Sequence, residues 1–581
     1  MSANLDPDTL RPEGRVVELH PSPAPALALQ QPIADEPAPV SPPTDQELVW
    51  YLGTQRRWVQ IVSLASFLLA AFSLVRFVGT SPWLYPLLLV LAVNIAGVTL
   101  SLVSGLNKAR DSKKSHFDLV ERWEHDTAVH ELPSVDVFLP SAGEDLAVLR
   151  NTYTHVSRMQ WAGVLTVWVL DDADKESVKE LAAEFGFTYR VRPNRGHMKK
   201  AGNLQAGFGQ SSGDLIVIFD ADFCPRPDFL SHTVPYLAAD EEIAILQTPQ
   251  FFDARREMSW LERTAGATQE LFYRWVQPSR DRAGAAICVG TCAVYRRSAL
   301  DKTNGFAQIE HSEDVHTGMM LMRAGYSVRY VPILVSKGLC PSDLAGFLNQ
   351  QYRWCNGSIT LLRSGQANRR PLSPRQRLAF WSGFMYYIST SLNVFFLHIP
   401  GMIMAVLFAA DVRASNFIPF LAGSWVYLVL MPRVSKTRWR FEVVRVQMAY
   451  SFSHALALAH KLTGRTKGWV ATGAVGKSSS LARTISTIGS LTIGITLAIS
   501  WGALGYDVNV FGWHQFWPMA LLLVAYSYVS LPLMHDFLRV LFPKKAKQAS
   551  TGSGPLAVVT LLRHDAPVAV SAAVASSEGG R

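Results

Sequence analysis

Two carboxylates stand one residue apart at Asp220 and Asp222, directly after the apolar run Leu215-Ile216-Val217-Ile218-Phe219. In that spacing they can share a divalent cation, because Mg2+ and Mn2+ take a few carboxylates and complete their shell with phosphate oxygens. Such a cation offsets charge on a departing diphosphate. The same pattern also makes a turn or a helix cap. A second acidic pair, Asp171-Asp172, closes the run Val167-Trp168-Val169-Leu170. A carboxylate there can hydrogen-bond the uracil or ribose of a nucleotide, or it can cap a turn. In Ser312-Glu313-Asp314-Val315-His316 an acidic pair can supply a general base, worth about 10² to 10⁴ in rate. It can equally be the acidic first turn of a helix over Thr317–Arg323. Gln350-Gln351-Tyr352-Arg353-Trp354 offers a guanidinium that forks onto a diphosphate and an indole face that suits a sugar ring. An Arg-Trp pair is also an interfacial anchor for a membrane helix.

The elements around these residues alternate in type. Short β-rich runs at Val135–Pro140, Leu165–Asp171, Thr188–Val191, Leu215–Asp220 and Ile243–Thr248 are separated by polar, helix-prone stretches. Repeated βα units predict a mostly parallel sheet covered by helices. Ligands in such sheets sit beyond the carboxyl ends of the strands, where the acidic residues fall.

On both sides of this region the 581-residue chain changes character. Apolar runs at about 59–78 and 83–103 are each near the length of roughly 20 residues that spans a bilayer. The short uncharged link Gly79-Thr80-Ser81-Pro82 makes them a hairpin. Further apolar segments run over Ala379–Ala410, Phe417–Met431, Ile485–Leu504 and Phe516–Met534. The first of these reads as an interfacial helix followed by a crossing, and Arg433–Lys467 as a basic, amphipathic surface helix. Six crossings with both termini cytoplasmic then place the basic flanks, such as Lys113-Lys114 and Lys544-Lys545, on one side. The net charge of +9 follows these flanks, which points to a bilayer and away from nucleic acid. Five cysteines, Cys224, Cys288, Cys292, Cys340 and Cys355, lie in segments placed on the cytoplasmic side, where structural disulfides are not expected. The expected organisation is a disordered tail over 1–45, a transmembrane hairpin over 46–104 and a cytoplasmic catalytic domain over 105–375. Interfacial and transmembrane helices follow over 376–540, then a basic and disordered tail over 541–581.

The order Asp172, Asp220-x-Asp222, Glu313-Asp314 and Gln350-x-x-Arg353-Trp354 resembles glycosyltransferase family 2, and within it the cellulose-synthase-like branch of processive synthases. Val135–Pro140, His197-Met198-Lys199-Lys200-Ala201-Gly202-Asn203, Gln247-Thr248-Pro249-Gln250 and Val289-Gly290-Thr291 are similar to that branch too. The resemblance implies a multi-pass α-helical membrane protein with an inserted cytoplasmic α/β GT-A (Rossmann-like) domain in the cell membrane. It implies a hexosyltransferase that polymerises a UDP-sugar, UDP-glucose first, into a β-glucan, cellulose-like or mixed-linkage (1,3;1,4). By that resemblance Asp172 and Lys200 would hold the nucleotide, and Asp220 and Asp222 the Mg2+ or Mn2+. Asp314 would be the base for inverting attack. Gln350 and Arg353 would steady the diphosphate, and Trp354 would stack on the growing polysaccharide acceptor. The spans would form its channel, with envelope or synthase-complex subunits as further partners.

The sequence departs from that pattern in places. Ser141-Ala142-Gly143-Glu144 stands where the family often has P-T-Y-N-E, and Cys355-Asn356-Gly357-Ser358 follows Trp354, as in a mixed-linkage-like subgroup. Gly468–Gly473 partly matches the family's gating loop. A non-processive family 2 transferase acting on a lipid carrier, and a transporter with a regulatory soluble domain, are the competing readings.

Overall fold

The computed structural model describes residues 40–53, 57–105, 107, 109–255, 257–369, 371–430, 433, 442–464 and 479–543. The 1–39 tail, Gly468–Gly473 and the basic stretch from Lys544 lie outside the described residues.

The chain enters through a short helix, α1 (Asp45–Leu48), whose Thr44 cap and Glu47 bond each other reciprocally. The stretch 40–52, which the sequence divides between tail and hairpin, packs on the α/β layers. Val40, Leu48, Tyr51 and Leu52 are buried. Arg226 pairs with Asp45 at 2.7 Å, and Lys337 with Glu47 at 3.1 Å. The hairpin follows as α2 (Arg57–Val78) and α3 (Pro86–Gly105), and α4 (Lys113–Asp126) leads into the α/β region.

That region comprises β1 (Val135–Ser141), α5 (Leu146–Val156), β2 (Leu165–Asp171), α6 (Glu176–Glu184), β3 (Thr188–Arg190), α7 (Lys199–Gln210), β4 (Leu215–Ile218) and β5 (Phe223–Pro225). It continues through α8 (Phe229–Ala239), β6 (Ile243–Gln247), β7 (Phe251–Phe252), α9 (Trp260–Leu271), α10 (Gln277–Arg282), β8 (Ala293–Arg296), α11 (Arg297–Lys302), α12 (Glu313–Arg323), β9 (Ser327–Tyr330) and β10 (Ser336–Gly338). The main sheet has the order β3-β2-β1-β4-β8-β6-β9, and β5-β10-β7 form a small second sheet. Four of the five expected strands are shorter by one or two residues or longer by one, and Leu165–Asp171 matches end to end. The sheet is parallel except at β8, which runs antiparallel to both β4 and β6. Alternate residues feed two cores: Val135, Val137, Val217 and Phe219 on one face, Phe138, Ile216 and Ile218 on the other. Each such side chain contributes about 1.5–3 kcal/mol on burial, so both faces need helical cover.

The strand order reverses between β1 and β4, which opens a crevice at their carboxyl ends. Helix α13 (Leu344–Ser364) closes this side and carries the chain toward the apolar block. There α14 (Pro374–Phe396) and α15 (Ile399–Leu407) are separated only by Leu397 and His398. Together they make one helical stretch of 34 residues that is long and apolar enough for a crossing. Next comes α16 (Ala414–Trp425), prolonged to Leu430 by a wider turn, so the expected return at Phe417–Met431 is a helix shorter than the other spans. The last elements are α17 (Val443–Thr463), α18 (Ser480–Phe511) and α19 (Trp513–Leu541). Among the described residues five helices are long and apolar enough to cross a membrane.

Helix α17 corrects the sequence reading of a surface amphipath. Every residue from Met448 to His454 is buried, so all its faces are covered. It packs against α13 and α14, and Arg445 inside it finds carbonyl partners. Pro532 in α19 has no N–H for the Tyr528 carbonyl one turn back. Arg445 of α17 donates to that oxygen at 3.1 Å and to Val529 O at 3.0 Å. Between the spans, Asn94 of α3 and Asn393 of α14 exchange amide hydrogen bonds at 2.8 and 2.7 Å. A cavity of about 1380 Å³ lies among the spans, walled in part by Tyr386, Thr390, Asn393, Trp425 and Tyr450.

Candidate active site

The two acidic pairs, at the ends of β2 and β4 on either side of β1, have opposite surroundings. Asp171, at the end of β2, is fully buried and saturated. It accepts from the Ala173 and Lys175 amides at 2.8 and 2.9 Å, from Tyr189 Oη at 3.0 Å and from Ser141 Oγ at 3.2 Å. The turn-capping reading of this pair therefore falls on Asp171. Asp172 is gripped in a fork by Arg192, with Nε and Nη2 each 2.5 Å from a carboxylate oxygen. Arg192 also donates to the carbonyls of His197 and Lys199, at 2.7 and 3.1 Å. These bonds fix the turn into α7, where Met198 and Lys199 both adopt positive φ.

The second pair follows β4, across the crevice. Asp220 receives Lys200 Nζ on one carboxylate oxygen, and its amide donates to Thr291 Oγ1 at 2.9 Å. Lys200 Nζ also donates to Gly290 O at 2.8 Å and lies 3.9 Å from Glu313 Oε1. Burial works against the Lys200 ammonium, but the Asp220 and Glu313 carboxylates outweigh it and raise its pKa. At the Asp222 carboxyl the pull of Lys200 is the smaller influence. Burial first, and Asp220 second, push its pKa up to about 7. Glu144, beyond β1, is raised as well by burial, with Asp220 and Asp171 adding repulsion and the Ala142 amide opposing it at 2.7 Å.

Asp314 stands in the first turn of α12, after Ser312 in a left-handed conformation. Its neighbour Val315 donates to Oδ1 at 2.8 Å. Burial and the adjacent Glu313 raise the Asp314 pKa, and burial raises that of Glu313 against the pull of Lys200 and Arg353. Arg353, from α13, is lowered to about 10 by burial and held against further loss by Glu313 and Asp220. Thus Lys200, Asp220, Asp222, Glu313, Asp314 and Arg353 share one electrostatic environment. Asp172 reaches it through Arg192 and the turn into α7. Gln350 and Trp354 lie on the same helix as Arg353, both partly buried.

Two glycines bring these parts together. Gly290 has φ +79°, and a Cβ there would meet Asp314 Oδ2 at 3.0 Å and Asp314 Cβ at 3.1 Å. A Cβ on Gly357, one turn beyond Arg353, would fall 2.0 Å from Ser312 Oγ. The glycine after Gln350-x-x-Arg353-Trp354 is therefore what lets the Glu313-Asp314 turn dock on α13. Sequence reasoning did not single out Arg192 or Glu144 as site residues. A buried carboxylate at Asp172 demands a cation, but only the fold shows that a residue 20 positions later supplies it. Glu144 could have been noted because it follows β1 at the switch point.

Among the described residues no group of three or more His, Cys, Asp or Glu is arranged to hold a metal ion. The donor set nonetheless fits a divalent cation. Glu144, Asp222, Glu313 and Asp314 are all raised by burial, and each feels a neighbouring carboxylate. Two carboxylates leave shell positions for diphosphate oxygens, as Mg2+ and Mn2+ prefer.

Residues 215–434 match the family model for glycosyl transferase family group 2. Over this segment the chain is similar to family 2 glycosyltransferases. Its curated relatives include the UDP-forming cellulose synthase catalytic subunit of Xanthomonas axonopodis pv. citri (strain 306). That relative is 34% identical over 260 residues, which cover 44% of this chain and 36% of the relative. Cellulose synthase 1 of Komagataeibacter xylinus is 33% identical over 298 residues, covering 50% of this chain and 19% of the relative. The chain thus spans well under half the length of these relatives. Among solved structures, the chain is similar to mannosyltransferase PcManGT from Pyrobaculum calidifontis in complex with GDP-Man and Mn2+. The TM-score is 0.44 at 15% identity, over 65% of this chain and 99% of that one.

Proposed function

We propose that this chain is a processive, inverting, UDP-glucose-dependent β-glucan synthase that passes its product across the membrane in which its spans lie. The observation that carries this reading is the convergence of Lys200, Asp220, Asp222, Glu313, Asp314 and Arg353 at the switch point of the sheet, beside a helix that leads into the apolar block. The partial identity to UDP-forming cellulose synthases supports the donor. The α/β domain and both termini are cytoplasmic in this reading, because nucleotide sugars are made there and the basic flanks lie on that side.

A divalent cation held by Asp220 and Asp222 would supply electrostatic stabilisation of the leaving diphosphate. The protein's own groups do the rest. Asp172 orients the nucleotide end together with Arg192, and Arg353 and Gln350 hold the diphosphate. Lys200 is displaced from Asp220 toward phosphate oxygens, and the neighbouring acids keep its positive charge against the cost of burial. The Asp314 carboxylate takes the proton from the acceptor hydroxyl as that oxygen attacks the anomeric carbon. Its raised pKa makes it a stronger base than an ordinary carboxylate. Trp354 presents an apolar face to the acceptor's terminal ring.

The cavity among the spans supports translocation, since its lining combines aromatic side chains at Tyr386, Trp425 and Tyr450 with hydroxyl and amide groups at Thr390 and Asn393. A glucan has the same two-sided chemistry. Cellulose-like and mixed-linkage products both fit this description. Purified protein or membranes with radiolabelled UDP-glucose and Mg2+ or Mn2+ should yield polymer, and digestion with linkage-specific glucanases names the bond. Transfer of a single sugar to lipid, with no polymer, would replace this reading with the lipid-carrier one.

A further inference from the structure

Lys200, Asp220 and Asp314 come from three different elements, yet each touches the same three-residue loop, Val289-Gly290-Thr291. Gly290 O accepts from Lys200, Thr291 Oγ1 accepts from the Asp220 amide, and the Gly290 Cα lies against the Asp314 side chain. A glycine at positive φ does not hold such a loop by itself, so its position must come from elsewhere. The holder is Gln247, the last residue of β6, which is fully buried.

All three of the Gln247 amide's bonds go to this loop or its anchor. Nε2 donates to Thr291 O at 2.8 Å and to Thr248 O at 2.7 Å. Oε1 accepts from the Val289 amide at 2.8 Å. One side chain therefore clamps both ends of the loop, with Gly290 between them. The next residue extends the clamp: Thr248 Oγ1 donates to Cys292 O at 2.7 Å. Gln250 adds a weaker contact, from Nε2 to Val289 O at 3.4 Å, while its Oε1 accepts from Tyr273 Oη at 2.9 Å.

We infer that Gln247 is a positioning residue for sugar transfer, which sets the spacing between the donor-side groups Lys200 and Asp220 and the base Asp314 through the 289–291 loop. This inference rests on the synthase reading above. An amide is the group this task requires. It has donors for a carbonyl and an acceptor for an N–H on one planar, uncharged unit, so it can bridge two antiparallel ends of a loop in a dry setting. Methionine has nearly the same length but neither capability. Glutamate keeps the acceptor for Val289 and turns the donor edge into a repulsive oxygen facing the Thr291 carbonyl.

Since a misplacement of about 1 Å in reacting groups costs up to about 10²-fold, loosening this loop should act chiefly on turnover, because Asp172 and Arg192 hold the nucleotide end of the donor from another loop. The test measures polymer synthesis, UDP affinity and thermal unfolding of full-length Gln247→Met and Gln247→Glu, with Gln250→Met as the control. Expected are a kcat lower by about tenfold or more, UDP affinity within about threefold, and a smaller effect for Gln250→Met. A double-variant cycle with Thr291→Val separates positioning from bulk stability, because residues acting through one loop are not additive. The doubly substituted protein should be little worse than the poorer single variant. A folded Gln247→Met protein with wild-type kcat, or kcat losses that multiply in the double variant, overturns the inference. Wild-type protein that makes no polymer would instead overturn the synthase reading itself. If Gln247→Met does not fold, Gln247→Glu and the Thr291→Val cycle carry the same test.

Discussion

Two acidic pairs end β2 and β4, the strands on either side of β1, and they differ in what surrounds their oxygens. At Asp171-Asp172 every carboxylate oxygen is taken by a hydroxyl, an amide or the Arg192 fork. At Asp220-Asp222 one carboxylate shares Lys200 with Glu313, and the other is pushed toward protonation. The saturated pair builds a rigid loop. The under-compensated pair stores electrostatic repulsion that a cation and a diphosphate complex would relieve. A D-D or D-x-D in sequence does not say which it is; the count of partners does.

The largest expected effect is at the base beside the second pair. Asp314→Asn should lower kcat by about 10² to 10⁴ while leaving UDP affinity and the unfolding temperature near wild type, as read by polymer synthesis, calorimetry and thermal denaturation. A residual rate close to wild type would remove Asp314 from the chemistry.

Arg192→Leu should show the reverse profile. It leaves the buried Asp172 carboxylate unpaired, which costs about 3–5 kcal/mol, and so lowers the denaturation midpoint and weakens nucleotide binding together. Retained stability would mean that the first pair is not held as described.

Asp222→Asn should cost turnover yet stabilise the cation-free protein. The folded-state pKa of Asp222 is raised, to about 7, so the folded protein binds more protons than the unfolded chain between the ordinary carboxylate range and pH 7. Its contribution to stability therefore falls as pH rises through that window, and the amide abolishes the fall. A gain of roughly 2–4 °C at pH 7.5 in chelator is expected in thermal unfolding. Asp171→Asn should instead lose about 1–3 kcal/mol, since it turns an acceptor of several bonds into a partial donor.

The smallest effect is on the pH profile. The Asp314 pKa is raised, and the base must be deprotonated to work, so kcat/KM should climb with pH along a limb displaced above an ordinary aspartate's value of about 4. A limb at that ordinary value would place the base elsewhere.

Much of the site was legible because its residues fall at strand ends, where β-rich runs of five to seven residues stop at Asp. Antiparallel β8 was missed because Ala293-Val294-Tyr295-Arg296 is too short to show a period, and its place between β4 and β6 is purely tertiary. The amphipathic reading of α17 failed because its polar residues, such as Arg445 and His454, face carbonyls and hydroxyls of other helices instead of water. The packing of 40–52 on the sheet was hidden by its proline-rich composition. Gly357 could not be assigned a purpose from sequence, since its neighbour Ser312 lies 45 positions away and meets it only in the fold.

The most direct test of the account is a titration of UDP into the purified protein by calorimetry, with and without Mn2+, for the wild type and Asp222→Asn. Binding that needs Mn2+ in the wild type and is lost in Asp222→Asn is the predicted result. Equal UDP binding with and without the cation, unchanged in Asp222→Asn, would contradict the assignment of the second pair as the metal and diphosphate site.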